Sequence, residues 1–320
     1  MAIFYQLPKI NNVPIIDYLD RDFTDTEYEI NCYVGDRIQI DKTPVSNSFF
    51  LIPHDFSKIQ NNKTYLKMCK EMAISFGSTL VIPNYGDFAQ SADLQNSIEL
   101  RTNIQPGEKI KGRVIIVPYR IKPLPFEPIS IQNPSISFSG YVPNISPRKL
   151  VGAMYRNPFH PISGSSAIVR NYGIRKLVKG DFPLHLNKRS SFGLLRTHSV
   201  MKLSTERSEF LESMKSSNFA FCPRGDGNAS GRFFEALSAG RIPVVPDTKI
   251  RFPLENSTEW DRWIVQVPLF GDWDSILHSF IEKFDHDSYL SFQRDMREFF
   301  LQRLQAKAFF FNLFSAGFKC

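Results

Sequence analysis

Phe221-Cys222-Pro223-Arg224-Gly225-Asp226-Gly227-Asn228-Ala229-Ser230-Gly231-Arg232-Phe233-Phe234-Glu235-Ala236-Leu237 joins the end of a strand, a glycine loop and the start of a helix in one short segment. Asn218 to Cys222 is short, apolar and aromatic, as a buried strand is, and Pro223, Gly225 and Gly227 forbid its continuation. From Ser230 the apolar positions Phe233, Phe234, Ala236 and Leu237 take helical spacing, and Gly240 closes the run where a left-handed cap costs little. Ile242-Pro243-Val244-Val245 restarts a strand. Strand, glycine loop, helix, strand is a βαβ-type unit. The start of its helix offers unpaired amides and a partial positive charge to an anion. Arg224 and Arg232 add full charges, and Glu235 lies one turn beyond Gly231 on the same face. There it can accept hydrogen bonds from the two hydroxyls of a ribose whose phosphates sit at the helix start. The unit suits a nucleoside diphosphate.

The rest of the chain divides in two. At 320 residues it exceeds a comfortable single core. In the first part Ser48 to Pro53, Thr79 to Pro83 and Arg113 to Pro118 read as strands, each ended by proline. Between the first two, Tyr65, Met68, Cys69, Met72 and Phe76 recur at helical spacing, with Gly77 closing the helix. Alternating strands and helices imply a mostly parallel sheet. Pro123, Pro125, Pro128 and Pro134 mark a linker, and Ser135 to Ser139 begins the second part. Ser146-Pro147 opens a helix to about Tyr155, Glu206 to Met214 precedes the decisive strand, and Ile276, Leu277, Phe280, Ile281 and Phe284 make a later helix. Ser288 to Phe314 is helical and strongly aromatic. The domains expected are 1–130 and 131–320.

A formal charge of +7 is compatible with an anionic ligand, although a solvated basic surface gives the same number. No window is long and apolar enough to span a bilayer, and Met1 to Val13 lacks a basic flank before an apolar run, so a cytosolic protein without a transmembrane anchor is expected. Cys32, Cys69, Cys222 and Cys320 have no paired spacing, which argues against a disulfide framework or a zinc site.

The decisive stretch resembles the nucleotide-sugar signature of the exostosin-type glycosyltransferases, glycosyltransferase family 47. The resemblance is carried by Phe221 to Gly225, Ser230, Arg232, Phe234 to Leu237, Gly240 and Ile242 to Val244, and continues through Asp247, Phe252-Pro253-Leu254 and Trp260 to a strand near Trp263 to Val267. It is specific over roughly residues 206 to 285 and faint elsewhere; Ile136 to Gly140 resembles the strand that opens the family's second domain. It implies a GT-B fold, two Rossmann-like α/β domains facing across a cleft, with an N-terminal acceptor-side domain and a C-terminal domain for the nucleotide sugar. By analogy with GT-B enzymes the terminal helix packs back on the first domain. The implied activity is transfer of a sugar from a UDP-sugar to a glycan acceptor with inversion at the anomeric carbon. The family's animal members are anchored in membranes, so the missing anchor points to a microbial enzyme or one acting in a virus-infected cell.

On this reading Arg224 stabilises the departing phosphate, and Arg224, Gly225, Ser230, Gly231, Arg232 and Glu235 hold the donor. Ser230 has three possible uses: to cap the helix, to contact phosphate, or both. Asp226 reads as a turn former. The general base belongs on a loop at the carboxyl end of a first-domain strand, where Asp55, with His54 beside it, and Asp87 qualify; Asp55 is preferred, and each is equally suited to capping or turning the chain. Asp272-Trp273-Asp274, Asp20-Arg21-Asp22 and Asp285-His286-Asp287 imitate a metal-binding Asp-any-Asp motif. Three hits in one chain show how unspecific that motif is, and Asp272 stands where a helix cap belongs. No obligatory metal or other cofactor is expected. The basic run Arg170 to Arg196, with Arg175, Lys176, Lys179, Lys188 and Arg189 among Tyr172, Phe182 and Phe192, reads as a solvated loop with core anchors, and Arg170 or Arg175 is available to hold a nucleotide or an acidic acceptor. The competing classes are an inactive nucleotide- or glycan-binding subunit and a nucleic-acid-binding protein; no nucleic-acid partner is expected.

Overall fold

Apolar runs alternating with helical patterns produce two sheets whose strand pairings are all parallel in the computed structural model. The structure describes residues 2–16, 40–87, 91–110, 112–148, 151–152, 160, 162–189 and 200–319. Asp20-Arg21-Asp22, Cys32, Cys320, Phe192, Arg196 and the far end of the helix expected after Ser146 lie outside them.

The first unit comprises Met1–Ile121, Arg251–Thr258 and Gln302–Cys320. Its strands β1 (Phe4–Gln6), β2 (Ile40–Asp41), β3 (Phe49–Leu51), β4 (Thr79–Asn84), β5 (Ser97–Arg101) and β6 (Arg113–Ile116) stand in the order β2-β1-β3-β4-β5-β6. Successive strand residues take opposite faces. Phe50, Leu80 and Ile82 pack on Tyr65, Cys69 and Ala73 of helix α2 (Lys63–Ser75). Leu51, Val81, Ile98 and Leu100 pack on Phe309, Phe310, Leu313 and Phe314 of the terminal helix Ala306–Ser315. Gly77, at φ +60, turns the chain after α2.

The second unit comprises Lys122–Ile250 and Glu259–Leu301. Strands β7 (Ile136–Tyr141), β8 (Leu184–Arg189), β9 (Phe219–Phe221), β10 (Ile242–Pro246) and β11 (Val265–Val267) stand in the order β11-β10-β9-β7-β8. Helices α3 (Ser166–Lys179), α4 (Val200–Lys215) and α5 (Gly231–Ser238) connect them. After β11 come α6 (Trp273–Ile281) and α7 (His286–Phe299), whose Phe292 and Phe299 stack on Trp263 with centroids 5.8 and 4.9 Å away. Asp272 caps α6 through Ser275 N, and Asp285 forms a capping box with Ser288, so these two Asp-any-Asp strings serve helix ends. Among the described residues no helix is long and apolar enough to cross a membrane.

The proline-rich run lies in the second unit, whose first stretch is Lys122–Ile250. Proline keeps the run out of a sheet. Buried polar side chains meet its backbone instead: Leu124 N donates to Ser238 Oγ, Arg241 Nη2 donates to Glu127 O, and Gln293 bonds both Ile129 N and Ile129 O. The basic segment, as far as Arg189, is α3 followed by β8 rather than a loop. Val169, Gly173, Ile174 and Leu177 form the buried face of α3. Gly173 interrupts that face in the sequence because a β-carbon there would lie 2.2 Å from the Phe221 ring.

Candidate functional site

In the second unit β7 lies between β8 and β9, so the connections after β7 and β9 leave in opposite directions. A parallel sheet opens a crevice at the carboxyl ends of the strands on either side of such a reversal. Gly140 and Tyr141 border it from β7, and Cys222 to Arg224 border it from β9. Arg170 of α3, Arg224 of the glycine loop and Arg232 of α5 converge there. Arg170 Nη1 donates to Tyr141 O at 2.9 Å and its Nε to Arg224 O at 3.2 Å; Arg232 Nη2 donates to Ser139 O, and its guanidinium lies 4.6 Å over the Phe138 ring. Burial first, then the charge of Arg232, pushes the Arg170 guanidinium down to about 10, with Asp226 opposing and Arg224 adding to the effect. It stays cationic at neutral pH. The crevice holds a concentration of positive charge that suits a polyanion.

The glycine loop is built from within. Gly225 N donates to Ala229 O at 2.9 Å, closing it. Arg224, 3% exposed, donates through Nη1 to Ser163 O, through Nη2 to Asp226 O and through Nε to Gly225 O. Arg224, expected to stabilise a departing phosphate, here shapes the loop with its guanidinium and adds charge beneath it. Asn228, 1% exposed, donates to Thr248 O and Lys249 O and accepts from Thr248 Oγ1, which ties the loop to the end of β10. Asp226 is exposed and accepts from Ser166 Oγ.

At the start of α5 Ser230 takes the N-cap position, but its hydroxyl makes no capping bond. A β-carbon added to Gly231 would meet no atom of the described residues within 4 Å, so the helix start is open at that position. One turn on, Glu235 Oε1 accepts from Arg207 Nη1 of α4 at 2.9 Å. The Cys222 thiol is fully buried and pushed up to about 12, burial being the main cause; the charge of Arg232 opposes the shift and that of Glu235 adds to it.

The three base candidates of the first unit part company. His54 is wholly buried at the end of β3; its Nε2 accepts from Ile10 N at 2.8 Å, and its Nδ1 lies 2.9 Å from Pro14 O, which requires the proton on Nδ1. Asp55 caps α1 (Phe56–Ile59) through Ser57 N and accepts from Tyr85 N with its second oxygen. Both side chains bond the backbone, which for Asp55 is the capping use that its place in the sequence equally suits. Asp87 is exposed beyond β4, 3.3 Å from Tyr119 OH. Its segment is held carbonyl by carbonyl: Thr102 Oγ1 donates to Tyr85 O, Asn103 Nδ2 to Gly86 O and Gln105 Nε2 to Asp87 O at 3.4, 3.4 and 2.7 Å.

Sequence reasoning missed Asn228, Thr248, Arg207 and Tyr119, and it left Arg170 open. The polar residues are joined by bonds spanning 20 to 32 positions, for which spacing gives no signal. Among the described residues no three His, Cys, Asp or Glu side chains stand together as a metal site would require.

The chain is similar in structure to the GtfA/B complex, with 11% identity and a TM-score of 0.40 over 86% of this chain and 58% of that one. It is similar to TarM at 9% identity and 0.35, over 76% and 55%, and to the pneumococcal O-GlcNAc transferase GtfA in complex with UDP and GlcNAc at 8% and 0.26, over 85% and 54%. It therefore spans little more than half the length of each. Residues 163–274, which include Arg170, the glycine loop and α5, match the model of the Exostosin GT47 domain. Over those residues the chain is similar to a glycosyltransferase domain.

Proposed function

We propose that the protein transfers a sugar from a UDP-sugar to a hydroxyl of a glycan acceptor, with inversion and without an obligatory metal. The observation that carries this reading is the convergence of Arg170, Arg224 and Arg232 with a start of α5 that is open at Gly231, at the strand reversal. As the anomeric carbon–oxygen bond breaks, charge grows on the terminal phosphate. Helix amides and fixed guanidinium groups meet that charge without reorganising. Arg232, Ser230 and Gly231 contact the phosphates; Arg224 and Gly225 keep the loop in shape; Glu235 takes the ribose hydroxyls. The incoming acceptor oxygen bonds the anomeric carbon from the opposite side and gives its proton to Asp87, while UDP leaves. Asp87 suits that step because its backbone is fixed and its carboxylate exposed. The buried thiols of Cys69 and Cys222 suit a reducing compartment, so the reading places the reaction in the cytosol.

The test is calorimetric titration of the chain with UDP, followed by product analysis against a panel of nucleotide sugars and glycans. UDP binding weakened about tenfold or more in Arg232→Ala and Glu235→Ala is expected, as for loss of a charge-assisted hydrogen bond. Unimpaired binding by both folded variants would remove the donor site from α5, and transfer that stops with EDTA and returns only with Mn²⁺ would reject the metal-free part.

A further inference from the structure

We infer that Arg207 is a positioning residue that sets the Glu235 carboxylate for ribose recognition. This rests on the donor site proposed above and adds a residue to it.

The Arg207–Glu235 contact joins α4 to α5 at 2.9 Å, with the two side chains 32% and 15% exposed. A half-buried carboxylate needs a partner to offset its desolvation. On α5 itself the obvious one is Arg232, three residues earlier and within reach on a helix surface. The structure directs Arg232 elsewhere, to Ser139 O and the face of Phe138. The cations divide their work: Arg232 stays at the crevice beside β7, and Arg207 holds Glu235.

Arg207 is well placed to hold a fixed direction. Its guanidinium lies 5.1 Å from the ring centroid of buried Phe210, one turn along α4. The adjacent Glu206 is fastened to the sheet: Arg189 Nη2 donates to Glu206 O at 2.7 Å, and Arg189 Nη1 lies 3.6 Å from its carboxylate. That turn of α4 is therefore anchored to β8 on one side while it reaches α5 on the other. An ionised carboxylate offers about four lone-pair positions on two oxygens. A bond from Arg207 to Oε1 takes one of them and fixes the plane of the group, so the remaining positions are presented in a set direction. Two adjacent ribose hydroxyls require such a direction, whereas a rotating carboxylate meets them only part of the time.

A pair that merely tied two helices together would be indifferent to the ribose 2′-hydroxyl, which gives a readout separate from stability. The experiment is calorimetric titration of the full chain, and of its Glu235→Gln, Arg207→Met and Arg207→Lys variants, with UDP and with 2′-deoxy-UDP. The wild type should prefer UDP by about tenfold or more, because a site built for a hydroxyl is left with an unmet polar group by the deoxy ligand. Glu235→Gln should lose most of that preference. Arg207→Met should lose about threefold or more of it and bind 2′-deoxy-UDP within about twofold of wild type, which also shows that the variant is folded; Arg207→Lys should lie between. A full preference kept by Arg207→Met or, should Met disturb folding, by Arg207→Lys, alongside its loss in Glu235→Gln, overturns the role of Arg207 and leaves the ribose reading standing. A full preference kept by Glu235→Gln, or no binding of either ligand by the wild type, overturns both.

Discussion

A β-carbon on residue 140 would stand 2.8 Å from Arg232 Nη2, so Gly140 at the end of β7 is what lets the guanidinium come down on the strand. The atom met is the far end of a long side chain, which can move without disturbing the fold. Gly140→Ala is therefore expected to keep its melting temperature within a few degrees while weakening UDP binding by about tenfold, the scale of one charge-assisted hydrogen bond. Titration and a thermal scan on the same sample check both halves. Undiminished binding would mean that the position of Arg232 does not matter to the ligand.

Gly173 presents the opposite case. The atom a β-carbon would meet at 2.2 Å is the tip of the Phe221 ring, which is completely buried. Nothing there can give way cheaply. Gly173→Ala should destabilise the protein by about 1–3 kcal/mol, as overpacking of a core does, read as a lower midpoint in a urea titration. A stability equal to wild type would contradict the packing of α3 on β9.

Asp55 and Asp87 make a paired comparison. Asp87→Asn should lower kcat by a factor of about 10²–10⁴, the range for removal of a general base, and leave the UDP dissociation constant unchanged. Asp55→Asn should keep kcat within a few-fold, and the shorter Asp55→Ala should cost about 1 kcal/mol of stability through the lost cap. Inactivity of Asp55→Asn with full activity of Asp87→Asn would return the base to the residue that the sequence favoured.

Burial raises the thiols of Cys69, to about 11, and of Cys222, to about 12. A raised value keeps the neutral thiol at pH 8, and the thiolate is the nucleophile. Peptides carrying either residue should stay unalkylated when the folded protein meets iodoacetamide at pH 8 and become labelled in denaturant. Peptide mass mapping reads the outcome, and rapid labelling of Cys222 in the folded state would mean that the end of β9 is open.

The part of the fold legible in the sequence is the part whose chemistry is uniform along the chain. Phe219 to Phe221 is apolar throughout and bounded by proline and glycine, so β9, the loop and α5 emerge from spacing alone. Strand β5 did not emerge, because Ser97-Ile98-Glu99-Leu100-Arg101 is half polar yet fully buried. Its charges are met by side chains and an amide outside the strand itself, whose pairing no periodicity marks: Glu99 accepts from Asn84, Ser91 and the Ala92 amide, and Arg101 pairs with Glu108. The site shows the same limit. Gly231, Ser230 and Glu235 follow from the geometry of one helix. That Arg224 would turn inward to three carbonyls, or that Arg207 would cross to Glu235, depends on neighbours which only tertiary structure supplies.

The first unit is assembled from three separate stretches of chain, and Phe4 and Leu51 share a core with Phe310 and Phe314. During synthesis, β1 and β3 must wait for the helix Ala306–Ser315 before that face is covered. Strands β7 to β11 of the second unit have been made by then. Of the two units, the one begun first is the one finished last, so a stop near residue 301 would be felt most in β1 and β3.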